Sequence, residues 1–162
     1  MRLFVAVQLS DEMKAALLST MHDLQKAGVK GSYTPGANLH LTMAFIGEFK
    51  DPEAVKKVIQ SVPFKPFKLS LDGLGAFDNT LWAGIKGNQG LKTLAKDLRA
   101  ALTAAGIPCD TQAFVPHVTL IRRASGRWQS VPAPRGDMMV KNLSLMRSDL
   151  KDGKRVYTEL TK

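Results

Sequence analysis

His40-Leu41-Thr42-Met43 comes back later in the chain as His117-Val118-Thr119-Leu120, and the fold is read outward from this pair. In a strand, side chains alternate between faces, so each copy puts its histidine and threonine on one side and its apolar residues on the other. Two such strands facing each other would offer two imidazoles and two hydroxyls to one small cleft. That is equipment for acid–base chemistry on a phosphoryl group.

More than a tetrapeptide recurs. With Leu3-Phe4 laid over Leu81-Trp82, Ala27-Gly28-Val29 falls on Ala105-Gly106-Ile107 without a gap, and His40 then meets His117 with a one-residue difference. Strand, helix, glycine stop and His-x-Thr strand therefore occur twice. A repeat of this kind predicts two similar halves packed about an approximate two-fold axis, with the motif strands adjacent or facing across it.

The elements follow from pattern. Leu3 to Leu9 reads as a buried strand, and Ser10 with Asp11 and Glu12 starts a helix that Gly28 stops. A loop with Tyr33, Pro35 and Gly36 leads to the strand Leu39 to Ile46, and Asp51-Pro52 opens a helix to about Ile59. Phe67 to Leu74 and Thr80 to Ile85 read as strands, and Leu91 to Leu102 as a helix with an apolar face. Ala113 to Ile121 carries the second motif. After a loop over Arg122 to Gly136, Met138 to Arg147 and Arg155 to Leu160 are expected to form a closing hairpin.

Length and composition set the frame. The 162 residues suit one domain built of two lobes, with 44% apolar residues and no evident linker. Lys and Arg number 23 against 14 acidic residues, a net +9 spread along the chain. Such a body favours polyanions, although many small basic proteins never touch nucleic acid. Cys109 is the only cysteine, which rules out an internal disulfide, and no Cys/His spacing resembles a zinc site. Met1 to Ser10 lacks the long apolar core of a signal peptide, and no run approaches the roughly 20 apolar residues that span a bilayer. The expectation is a cytoplasmic monomer that does not engage a membrane.

Opening a cyclic phosphodiester requires a base to deprotonate water and an acid to protonate the departing ribose oxygen, on opposite sides of phosphorus. Imidazole, with a free pKa of about 6.5, serves either role near neutral pH. Threonine hydroxyls on the same faces can donate to the non-bridging oxygens as charge develops. His40, Thr42, His117 and Thr119 are therefore the candidate site. His22 lies outside the repeat and is assigned no function. Of the two arginines after the second motif, a regular strand puts Arg123 on the face of His117, which makes it the candidate phosphate contact; a bulge would select Arg122 instead. Phe45 and Phe114 fall on the opposite faces and are expected in the core. Tyr33 and Trp128, in loops, are available to stack on a base or to pack against the body.

The paired HLTM and HVTL motifs resemble those of the two-histidine phosphoesterases, specifically the RNA 2′,3′-cyclic phosphodiesterases once named 2′-5′ RNA ligases. RLFVAV, PGANLHLTMAFIGE, LDGLGAFDNTLWAGI, FVPHVTLIR, NLSLMRSDL and RVYTEL are similar to that family's landmarks, so the resemblance spans nearly the whole chain. It implies a bilobal α+β fold whose antiparallel sheets form a central cleft with one motif from each half. It also implies hydrolysis of RNA 2′,3′-cyclic phosphate ends to 2′-phosphomonoesters without metal or cofactor. By that resemblance His40 donates the proton to the leaving 3′-oxygen and His117 activates water. Tyr33 and Met43 depart from the family's commoner residues without touching a polar role. The rival readings are an RNA-end or nucleotide-binding module without turnover, and a phosphodiesterase or ligase acting on 2′-5′-linked oligonucleotides.

Overall fold

Three short polar side chains start the three helices. Ser10, Asp51 and Asn88 each accept a hydrogen bond from the backbone amide three residues on, that of Met13, Ala54 and Leu91 respectively, which satisfies a donor with no partner inside the helix. In this computed structural model, which describes residues 1–161, the helices are α1 (Asp11–Lys26), α2 (Pro52–Ser61) and α3 (Gln89–Ala104). The strands are β1 (Arg2–Gln8), β2 (Lys30–Tyr33), β3 (His40–Glu48), β4 (Phe67–Phe77), β5 (Thr80–Ile85), β6 (His117–Ser125), β7 (Asp137–Val140), β8 (Ser144–Lys151) and β9 (Lys154–Glu159). The fold is α+β, as the resemblance implied.

Two antiparallel sheets carry the two motifs. One has the order β3-β1-β8-β9 and the other β2-β6-β5-β4-β7. The sequence repeat is visible in this order: β6 stands beside β5 as β3 stands beside β1, with β2 added at the outer edge. Each helix lays an apolar stripe on the sheets, Met13, Leu17 and Leu24 from α1, Val55 and Ile59 from α2, and Leu91, Leu94, Leu98 and Leu102 from α3. In β1, Leu3, Val5 and Val7 join this core, while Phe4 and Ala6 project to the other face, where they cluster with Met146 and Tyr157. The sheet face carrying the histidines is thus the face the helices leave uncovered.

Several elements depart from the sequence expectations, β4 among them, which runs on to Phe77. Lys30–Tyr33 is a strand, not part of a loop; Gly31, at φ 152°, leaves no room for a side chain against Ile121, and the segment has no apolar alternation to announce it. The second motif strand begins at His117 instead of Ala113, since Pro116 has no amide for a ladder and Arg99 holds the preceding loop through the Gln112 carbonyl and the Asp110 carboxylate. The closing hairpin is β8–β9 alone. Met138 belongs to β7, which leaves to pair with β4, and the chain joins β1 only from Ser144.

Candidate active site

His40 and His117 are the first residues of their strands, and each is tied down in the same way. The Nδ1–H of His40 donates to the carbonyl of Asn38 at 2.7 Å, and that of His117 to the carbonyl of Val115, also at 2.7 Å. An imidazole that spends Nδ1–H on a carbonyl presents Nε2 elsewhere, as an acceptor when neutral and a donor when protonated. Both histidines, with Thr42 and Thr119, line one cleft of about 690 Å³ between the sheets.

The two imidazoles are not equivalent. His40 Nε2 lies 2.8 Å from the Thr42 hydroxyl, and its ring clusters with Phe4, centroid to centroid 4.9 Å, and with Tyr157, nearly perpendicular at 5.3 Å, while Phe4 and Tyr157 also touch each other. Burial lowers the His40 pKa, and the positive charges of Arg122, His117 and Lys14 lower it further against the opposing pull of the Asn38 carbonyl. His117 sits against Phe77 at 5.2 Å and Trp82 at 6.0 Å. Its Nε2 has no protein partner among the described residues and is open to the cleft.

Beyond the motifs, both strands contain an extra residue. In β3, Thr42 pairs with Ala6 while Ala44 pairs with Val5, so Met43 is unpaired; in β6, Thr119 pairs with Trp82 while Ile121 pairs with Leu81, so Leu120 is unpaired. Each bulge reverses the alternation after it. Met43 and Ala44 are consecutively buried, as are Leu120 and Ile121, and the next side chain swings into the cleft. The expectations built on regular strands are therefore corrected at two residues. Arg122, not Arg123, lines the cleft; Arg123 is at a second irregularity, with φ 52°. Phe45 is not core: it lines the cleft, 37% exposed, with the Arg2 guanidinium 5.2 Å above its ring.

Tyr33 lines the cleft too, its hydroxyl donating to the Val29 carbonyl at 2.6 Å. Trp128 and Phe114 pack against the main core, and exposed His22 lies on α1, away from the cleft. Among the described residues the cleft is lined by four cations, Arg2, Arg122, Lys154 and Arg155, and by no carboxylate. Among the described residues no group of three or more His, Cys, Asp or Glu is arranged to hold a metal, and no helix is long and apolar enough to cross a membrane.

Comparison with known proteins places the molecule. The model of the 2′-5′ RNA ligase superfamily matches residues 5–152. A Thermus thermophilus protein named RNA 2′,3′-cyclic phosphodiesterase is 33% identical over 178 residues, covering 100% of this chain and 89% of its own length. The apo structure of E. coli LigT superposes with a TM-score of 0.85 at 30% identity, covering 98% of this chain and 94% of that one. The structure of LigT complexed with 3′-AMP superposes at 0.81, with 29% identity and the same coverage.

Proposed function

The chain belongs to the 2′-5′ RNA ligase superfamily, and on that basis we propose that it hydrolyses 2′,3′-cyclic phosphate ends of RNA to 2′-phosphomonoesters, with His40 and His117 as the acid–base pair. The observation that carries this reading is the matched anchoring of the two imidazoles through Nδ1, which directs each Nε2 to a single cleft, that of His40 beside the Thr42 hydroxyl and that of His117 open. The names of the relatives supply the substrate class.

His117 is the base. Its Nε2 faces the open cleft, takes a proton from water, and the oxygen attacks phosphorus. His40 is the acid: as the bond from phosphorus to O3′ breaks, protonated Nε2 delivers its proton to that oxygen, leaving the phosphate on O2′. The unliganded protein favours neutral His40, and the negative charge of the bound phosphodiester offsets the cations that push its proton away. Thr42, Thr119 and Arg122 hold the non-bridging oxygens, where charge is greatest in the transition state. Phe45 offers a ring face to the terminal base. In this reading two imidazoles and a guanidinium provide the proton transfer and charge stabilisation, and no step calls for a metal.

The test is to incubate the protein, with chelator, with a short RNA ending in a 2′,3′-cyclic phosphate and with a 2′-5′-linked oligonucleotide. A 2′-phosphate product from the first is expected. Binding without turnover would favour a binding module, and turnover of the second alone would move the activity to 2′-5′ linkages.

A further inference from the structure

One scissile phosphate accounts for Arg122 among the cleft cations, and Arg2 is engaged over Phe45. Lys154 and Arg155 are left over. Both line the cleft, both are exposed, and neither takes part in an ion pair among the described residues. They begin β9, just past the turn at Asp152 and Gly153.

Their position relative to His40 is set through two contacts. The Asn38 side-chain amide donates to the Arg155 carbonyl at 3.0 Å, while the carbonyl of the same Asn38 accepts from His40 Nδ1. Two residues along β9, the Tyr157 ring lies perpendicular to the His40 ring, centroid to centroid 5.3 Å. Alternation puts Arg155 on the same face as Tyr157, roughly 7 Å further along the strand. That step is comparable to the separation of successive phosphates in a nucleic acid strand. Lys154, the first residue of β9 and so not held by that alternation on its turn side, lines the cleft from the end of the turn.

We propose that Lys154 and Arg155 form a second phosphate subsite, which takes the 5′-phosphoryl group of the nucleotide whose cyclic phosphate lies between the histidines. The inference rests on the phosphodiesterase reading and extends it. In an RNA end that group is the first internal phosphodiester, and in a free nucleotide it is a terminal 5′-phosphate. The subsite makes the protein select phosphorylated or chain-linked ends over bare nucleoside cyclic phosphates. Two cations on a hairpin tied to the His40 anchor supply the attraction, and among the described residues no carboxylate lines the cleft to oppose it.

Three substrates separate the possibilities: a nucleoside 2′,3′-cyclic phosphate, its 5′-phosphorylated form, and a dinucleotide ending in the same cyclic phosphate. For the unaltered protein kcat/KM is expected to rise about tenfold on adding the 5′-phosphoryl group, the size of a charge-assisted hydrogen bond. In the Lys154→Gln, Arg155→Gln variant the ratio between phosphorylated and bare substrates falls towards one. The salt dependence of log kcat/KM on the dinucleotide also becomes shallower in the variant, because fewer charge contacts remain to be screened. A gain for the free 5′-phosphate but not the dinucleotide would assign the subsite to free nucleotides; a gain for both assigns it to RNA ends as well. Equal turnover of all three by the unaltered protein, or a ratio that survives in the variant, overturns the subsite while the phosphodiesterase reading stands. Turnover of none overturns that reading, and the subsite with it.

Discussion

Phe45 and Arg122 occupy the same place in the two halves of the molecule. Each follows its motif histidine by five residues, and each is turned into the cleft by a single unpaired residue, Met43 in one strand and Leu120 in the other. One half therefore contributes an aromatic face and the other a guanidinium. The backbone is nearly symmetric while the chemistry is not, and a substrate with a base at one end and a phosphate at the other can bind in one sense.

Replacing Arg122 with Ala is expected to lower kcat/KM on a cyclic phosphate end by roughly tenfold to a hundredfold, the range for losing a charge-assisted hydrogen bond. Arg123→Gly is expected to leave kcat/KM in place. It should also raise stability by at most about 1 kcal/mol, because glycine adopts the left-handed backbone at φ 52° without a Cβ clash. Steady-state kinetics and thermal melting of the two variants check this. Equal losses of activity would undo the distinction between the arginines.

Phe45→Ala should act mainly through binding. Stacking on an aromatic ring is worth about 1–3 kcal/mol per base, so KM should rise roughly fivefold to a hundredfold with a smaller change in kcat. The side chain is partly exposed and outside the main core, so melting should move little. Unchanged KM for substrates with and without a base would remove Phe45 from base recognition.

His40 links pH to both stability and binding. Its pKa in the folded protein lies below the ordinary value, so between the two values the unfolded chain binds more protons than the folded one. Stability then rises with pH through that window, and the contribution is lost as pH falls from about 6.5 towards the folded value. A phosphate bound in the cleft should raise the His40 pKa, so that phosphate binds more tightly as pH falls. NMR titration of the imidazole with and without phosphate checks both statements. A pKa that phosphate leaves unmoved would place the anion elsewhere.

Gly75→Ala tests how Trp82 supports the second histidine. A Cβ at Gly75 would collide with the Trp82 ring, which lies against His117. The expected cost is about 1–3 kcal/mol of stability, as for overpacking generally, together with a loss of kcat that Thr42 and His40 cannot restore. Thermal melting and turnover measured on one sample give both numbers; a stable variant with full kcat would show that Trp82 does not position His117.

The repeat made both halves and both motif strands legible, because whole-unit similarity and period-two alternation are properties of residue type. The caps at Ser10 and Asp51 were legible for the same reason. Which of Arg122 and Arg123 faces the cleft was not, since it depends on one unpaired residue that shifts parity. The apolar doublets Met43-Ala44 and Leu120-Ile121, breaking the alternation in both strands, are the trace such bulges leave. Asn38, Tyr157 and Arg155 come to His40 through tertiary contact between a turn and a distant hairpin, for which local sequence carries no signal.

Whether the two histidines divide acid and base duties is read from the pH dependence of kcat/KM in His40→Ala and His117→Ala. The unaltered protein should give a bell, and each variant should retain residual activity about 10²- to 10⁴-fold lower. Without His40 the residual rate should rise with pH to a plateau, since only the base titrates; without His117 it should fall with pH, since only the acid does. A bell that survives in either variant would show that this histidine is not the acid or base, and single limbs in the opposite order would exchange the two roles.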